Sequence, residues 1–272
     1  MKALRLLAAL VPMLLAVPAS AARIDTLVLS SRHLAVPDTV LVVTPNRVKP
    51  SGAPSVYLLN GYGGDHRSWL NLRKNLPDLA DRYGMVLVTP HGQNSWYWDS
   101  PVEPGMQMES FITTDLVPYI DAHYPTDARP EMRAITGLSM GGHGALWLAL
   151  RHPDIWVNAG STSGGVDIRP FPEKWKMKQW LGPEATNREA WNNHTVINLV
   201  PGLKAGQNNI IFDCGSEDFF ADVNRNLHRA LLDAGIPHDY ISRPGTHNAR
   251  YWRNSILYQL VFFDQMFKKA AK

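Results

Sequence analysis

Short apolar runs alternate with amphipathic segments along most of this chain, and that alternation predicts its elements. Eight runs have the length and residue types of strands: 24–29 (IDTLVL), 39–43 (TVLVV), 55–60 (SVYLLN), 85–89 (MVLVT), 132–136 (MRAIT), 156–159 (IWVN), 208–213 (NNIIFD) and 238–242 (HDYIS). Helical patterns lie near 67–83, 108–123, 140–152, 220–234 and 251–268, and Asp233-Ala234-Gly235 followed by Pro237 is a helix stop. Three strands followed by strands alternating with helices predict an α/β fold, a mostly parallel eight-stranded sheet with helices on both faces. Such sheets hold their ligands outside the carboxyl ends of the strands, so functional residues are expected directly after strands.

Two stretches break the rhythm. Residues 165–205 carry Trp175, Trp180, Trp191, Pro170, Pro172 and Pro183 without a convincing strand, and read as a small cap inserted into one domain. Packing of the cap onto the sheet is the expected role of its tryptophans, because aromatic side chains dominate core burial. The other is the start: Met1-Lys2, an apolar stretch to Val17 interrupted by Arg5 and Pro12, then Ala19-Ser20-Ala21. A basic start, a short apolar run and a small-x-small site are the pattern of an export signal over 1–21. The run is shorter than the roughly 20 residues a spanning helix needs, so stable membrane insertion is not expected after its removal. A single domain over 22–272 is expected to remain, which is long enough to bury one sizeable core.

Composition narrows the partners rather than the fold. The whole chain has 27 Lys and Arg against 24 Asp and Glu, and without Lys2 and Arg5 the balance is 25 to 24. Nothing in that charge points to nucleic acid. Cys214 is the only cysteine, which excludes an intrachain disulfide and leaves a buried thiol at a strand end as the expectation. The histidines show no metal-ligand spacing, and neither a metal nor an organic cofactor is expected.

The chemistry is concentrated in Gly137-Leu138-Ser139-Met140-Gly141-Gly142, between a predicted strand and a strong helical run. In the strand-turn-helix context, G-x-S-x-G forms a turn so tight that the serine takes φ > 0. Side chains two residues before and after it would collide, so Gly137 and Gly141 are required. Ser139 then stands at a helix N-terminus, where backbone N–H groups favour developing negative charge. A second string, Gly160-Ser161-Thr162-Ser163-Gly164, has the wrong spacing for such a turn and reads as a loop.

A serine nucleophile needs a base, and the base needs an orienting acid, in the chain order Ser, Asp or Glu, His. Of the six histidines after Ser139, His143 shares its helix, His152 ends that helix, His194 lies in the cap, His228 is helical and His238 opens a strand. His247 is left, in a loop between the last strand and the last helix. For the acid, Asp218 in the loop after 208–213 is favoured over Glu217 and Asp213, the latter expected to serve backbone donors in the turn. The oxyanion donors are expected to be the backbone N–H groups of Met140 and of Tyr62, in the glycine-bearing loop Asn60-Gly61-Tyr62-Gly63-Gly64.

Four ordered blocks, YLLNGYGGDHRSW (57–69), GLSMGGHGAL (137–146), FDCGSEDF (212–219) and GTHNARYW (245–252), resemble the esterase D group of α/β-hydrolases. That group includes small carboxylesterases, feruloyl and acetylxylan esterases, S-formylglutathione hydrolases and, more distantly, mycolyltransferases. The resemblance implies an α/β-hydrolase fold with Ser139, Asp218 and His247 as triad and Tyr62 and Met140 at the oxyanion positions. Asn60 and Thr246 depart from the group, which usually has His before the first glycine and Gly before the catalytic His; altered positioning rather than inactivity is the expectation. The expected activity is hydrolysis of short-chain or aromatic acyl esters, on small molecules or linked to polysaccharide, outside the cytoplasm in a periplasm or beyond it. An acyltransferase using the same triad is the alternative, and a non-catalytic carbohydrate-binding protein on the same scaffold is the alternative of another class.

Overall fold

The computed structural model describes residues 22–272, so the proposed export signal lies outside the described residues. Eight strands form one sheet: β1 (Arg23–Leu29), β2 (Asp38–Thr44), β3 (Ser55–Leu59), β4 (Val86–Pro90), β5 (Arg133–Gly137), β6 (Asn158–Thr162), β7 (Asn209–Gly215) and β8 (Asp239–Arg243). Their order is β1-β2-β4-β3-β5-β6-β7-β8. β1 and β2 are antiparallel to their neighbours, and the six strands from β3 onward run parallel. The helices among the described residues are α1 (Ser68–Leu72), α2 (Leu76–Tyr83), α3 (Met108–Ser110), α4 (Val117–His123), α5 (Met140–Arg151), α6 (Met177–Leu181), α7 (Arg188–Asn193), α8 (Ala221–Asp233) and α9 (Ala249–Ala270).

Strands β3, β4 and β5 are buried along their whole length, as parallel strands covered on both faces must be. Their period of two divides the core. Tyr57, Leu59, Val86 and Val88 face a layer that includes α5 and α8, while Val56, Leu58 and Leu87 face Trp69, Leu79, Ile256, Leu260 and Phe263 from α1, α2 and α9. Pairing of Leu59 with Gly137 sets the ends of β3 and β5 side by side, and pairing of Gly215 with Arg243 does the same for β7 and β8. The loops that follow these four strands therefore open on the same edge of the sheet.

Two helical patterns are interrupted, and proline explains both. The 67–83 pattern splits because Pro77, in the first turn of α2, has no N–H and its ring would strike the carbonyl four residues back. In the 108–123 pattern, residues Phe111–Leu116 form a π-helical turn ahead of Pro118, a widening that gives the ring room. The sixth strand also departs from expectation. Ile155 and Trp156 donate their N–H groups to His152 O and close the turn after α5, so the strand is Asn158–Thr162 rather than 156–159. Gly160 to Thr162, expected in a loop, are inside it. This strand of small residues lies directly under α9: a Cβ on Gly160 would meet Gln259 Oε1 at 2.7 Å and Thr136 Oγ1 at 2.8 Å.

Asp213 is a correction of a different kind. Its carboxylate serves side chains, not turn backbone: it accepts from Arg243 Nη2 at 2.8 Å, Ser255 Oγ at 2.5 Å, Thr162 Oγ1 at 2.9 Å and Gln259 Nε2 at 3.1 Å. One buried carboxylate thus ties β6, β7, β8 and α9 together. Breaking a buried pair from one side leaves the other charge uncompensated. Asp213→Asn is expected to lower the unfolding free energy by roughly 3–5 kcal/mol in urea titration; a loss near zero would show that Arg243 finds water instead. Cys214, the next residue, is a free thiol and is buried. Burial pushes its pKa upward, with the nearby carboxylates of Asp218 and Asp213 adding to the effect.

Residues 165–205 contain α6, α7 and a 3-10 turn at Val196–Gly202, with no strand among them. Trp191 is fully buried and donates to Gly182 O; Trp180 donates to Asn94 O at 2.9 Å. Trp175 does something else, described below.

Candidate active site

Ser139 sits between β5 and α5 with φ 56° and ψ −117°, a backbone conformation that costs a non-glycine residue of order 1–3 kcal/mol. Close packing on both sides holds it there. A Cβ on Gly137 would lie 2.4 Å from the Gly141 carbonyl, and one on Gly141 would lie 2.4 Å from Leu59 O. The turn is also tied to the sheet through Ser139 N–H, which donates to Thr162 O at 2.9 Å.

Three of the residues picked out in the sequence meet above this edge. His247 Nε2 is 2.9 Å from Ser139 Oγ, and His247 Nδ1 is 3.0 and 2.9 Å from the two oxygens of Asp218. The imidazole therefore bridges a hydroxyl and a carboxylate whose side chain has no exposed surface. Asp218 is oriented in turn by the Phe220 N–H, which donates to Oδ1 at 2.8 Å. Glu217 is exposed, and Asp213 is occupied by the partners given above; neither touches His247. The His247 ring is enclosed by Phe219 at 4.2 Å, Trp252 at 4.9 Å and Phe220 at 5.4 Å between centroids.

The loop after β3 passes close to the serine. A Cβ on Gly61 would meet Leu138 Cδ1 at 2.7 Å and Ser139 Cβ at 3.3 Å, so a side chain here would crowd Leu138 and the serine. Among the described residues, no protein acceptor takes the N–H of Tyr62 or of Met140. Asn60 hydrogen-bonds within its own loop, donating from Nδ2 to Gly61 O at 3.1 Å.

Sequence reasoning passed over what steadies that loop. After β4 the chain runs His91 to Ser100, with Gln93, Asn94, Trp96 and Tyr97 all at positive φ. Tyr97 OH donates to Asn60 Oδ1 at 3.0 Å, and Gly63 N–H donates to Asn94 Oδ1 at 2.6 Å. Burial keeps the Tyr97 phenol protonated by raising its pKa far above normal. Trp96 and Trp98 stack on each other, and Trp98 Nε1 donates to His143 Nε2 at 2.8 Å. Burial in that aromatic stack holds the His143 imidazole down at about 3, which makes it a neutral packing residue. The available signal was an aromatic cluster, SWYW (95–98), in the loop that follows a strand.

A cavity of about 650 Å³ opens over Ser139, within the range that accepts a small organic ligand. Its walls include Tyr62, Leu72, Trp175, Phe219, Trp252 and Arg253. Trp175 stacks on Phe219 with centroids 5.7 Å apart and planes inclined by 23°. So this tryptophan, for which packing was favoured over stacking on a ligand, faces the site. Among the described residues, no group of three or more His, Cys, Asp or Glu is placed to hold a metal ion, and no helix is long and apolar enough to cross a membrane.

The sheet order, the serine at a tight strand-to-helix turn and the loops gathered at one sheet edge define an α/β-hydrolase of the serine hydrolase class. The chain belongs to the family described as "Putative esterase", whose model matches residues 31–263, and is a carboxylic-ester hydrolase. It is 27% identical to an acetyl esterase of Caldicellulosiruptor saccharolyticus, over 74% of this chain and 80% of that protein. It is 26% identical to the diacylglycerol acyltransferase/mycolyltransferase Ag85B of Mycolicibacterium smegmatis, over 74% of this chain and 73% of the other. Among solved structures, a ferulic acid esterase superposes with a TM-score of 0.76 at 26% identity, covering 91% of this chain and 99% of that one. The fold is also that of FphF, a fluorophosphonate-binding serine hydrolase of Staphylococcus aureus, with a TM-score of 0.80 at 17% identity over 90% and 99% of the two chains.

Proposed function

We propose that the protein is an exported serine carboxylesterase acting on short-chain or aromatic acyl esters through an acyl-enzyme. Ser139 Oγ attacks the ester carbonyl while its proton passes to His247 Nε2, and the new oxyanion lies against the N–H groups of Tyr62 and Met140. Collapse of the tetrahedral adduct breaks the C–O bond, and His247 returns the proton to the departing alcohol. Water then repeats the sequence on the acyl-enzyme, releasing the acid. Asp218 fixes the proton on Nδ1 and stabilises the imidazolium formed in each half. The observation that carries this reading is the imidazole bridging Ser139 and Asp218 at 2.9 Å on either side, at the floor of an open cavity.

The aromatic wall of Trp175 and Phe219 suits a flat acyl group, and the likeness to a ferulic acid esterase supports it. A panel of p-nitrophenyl esters of graded length, beside methyl ferulate and acetylated xylan, tests substrate class. Turnover is expected with acetyl and butyryl esters or methyl ferulate and to fall steeply with long acyl chains. Inertness to all of them, together with no labelling by a fluorophosphonate probe, would overturn the reading. The acyltransferase alternative is favoured by the mycolyltransferase relative. Mass spectrometry of products with and without an added acceptor alcohol separates the two, since only a transferase forms the new ester in preference to free acid. Export through residues 1–21 predicts a mature N-terminus at Ala22 on protein recovered from outside the cytoplasm; an intact Met1 there would contradict it.

A further inference from the structure

We propose that Arg253 is the specificity residue of the cavity and that the preferred ester carries a carboxylate; this rests on the esterase reading above. Among the described residues, Arg253 is the one Lys or Arg side chain lining the cavity, and no Asp or Glu lines it. Its Nε donates to Leu72 O at 3.0 Å. Leu72 is the last residue of α1, so this bond satisfies a carbonyl that the helix end leaves without an intrahelical donor. Holding Nε fixes the plane of the guanidinium and leaves the Nη1 and Nη2 edge. Among the described residues, no carboxylate lies within salt-bridge distance of Arg253. That edge is a planar, end-on pair of donors matched to the two oxygens of a carboxylate.

Arg253 is exposed, so an incoming ligand can reach its free edge. A neutral ester gains nothing from its charge, whereas an anionic one meets a preoriented fork. A role confined to helix capping needs only the Nε donor and would give stability without charge selectivity.

The carboxylate can sit on either side of the scissile bond, and two matched pairs tell which. In the acyl series, 4-nitrophenyl hemisuccinate is compared with its methyl ester. In the alcohol series, 4-acetoxybenzoic acid is compared with methyl 4-acetoxybenzoate. The ratio of kcat/KM for acid over neutral ester is expected to exceed one in one series and to fall about tenfold in Arg253→Gln, the scale of a hydrogen-bonded charge pair. Arg253→Lys keeps the charge without the fork and should fall between, and added salt should shrink the wild-type ratio. Ratios that Arg253→Gln leaves unchanged in both series overturn the proposal while the esterase stands. Failure of the wild-type protein on neutral and acid esters alike would instead remove the esterase reading, and this proposal with it.

Discussion

Ser139→Ala is expected to lower kcat on any ester substrate by about 10⁶-fold, and His247→Ala by a similar factor. The double substitution should cost little more than either one, because nucleophile and base act as a unit: with the hydroxyl gone the base has no proton to take. What survives is the slower attack of water on a carbonyl still held against the Tyr62 and Met140 N–H groups. The alanine at position 139 must occupy the same φ of 56° as the serine, so the fold should be retained, and a melting curve is the control. Kinetics on protein purified from a host without background esterase checks the effect. A single variant retaining more than about one part in a hundred of the wild-type rate would remove that residue from the mechanism, given the size of loss such a unit shows elsewhere.

Asp218→Asn is expected to cost about 10⁴-fold in kcat, and the reason lies in a backbone contact. Phe220 N–H donates to Asp218 Oδ1 at 2.8 Å. In the asparagine variant the same N–H selects the amide oxygen for that position, which leaves an acceptor 3.0 Å from His247 Nδ1 and puts the amide NH₂ where Oδ2 now lies, 2.9 Å from the same nitrogen. The two compete for Nδ1, and wherever the NH₂ group donates to it the imidazole proton is driven to Nε2, where it points at Ser139 Oγ. The ring then cannot accept the serine proton. Glu217→Gln, one residue away but exposed, should leave the rate unchanged. Steady-state rates of the two variants side by side check this, and an Asp218→Asn enzyme within tenfold of wild type would mean that some other group sets the tautomer.

The parts legible in the sequence are those governed by repetition or by forced geometry. Parallel strands buried on both faces must be short apolar runs, so β3, β4, β5 and β7 stood out. The elbow was legible because Gly137 and Gly141 each face backbone where a Cβ would lie 2.4 Å away, a demand that leaves a mark on the sequence itself. His247 and Asp218 followed from the order in which this fold delivers its loops. The sixth strand slipped because its own residues, Asn-Ala-Gly-Ser-Thr, are small to suit α9 and carry no apolar signal. The loop from His91 to Ser100 was opaque for a deeper reason. Its positive-φ backbone has no period, and the work of Asn94 and Tyr97 lies in contacts with Gly63 and Asn60, about 30 or more positions away in the chain, a relation that only tertiary structure creates. Trp175 belongs with it: a tryptophan that packs the cap and one that walls a cavity look alike in sequence.

The lone thiol at Cys214 has a use outside the chemistry. It lies on β7 just ahead of the Asp218 loop, shut away from solvent, and its raised pKa keeps it in the unreactive protonated form. A water-soluble disulfide reagent therefore finds nothing to modify while that strand is in register, and one group per molecule once it is not. The protein carries its own stopwatch for strand opening: the rate of colour release in dilute denaturant counts excursions of the sheet beside the acid loop, without a label or an engineered probe.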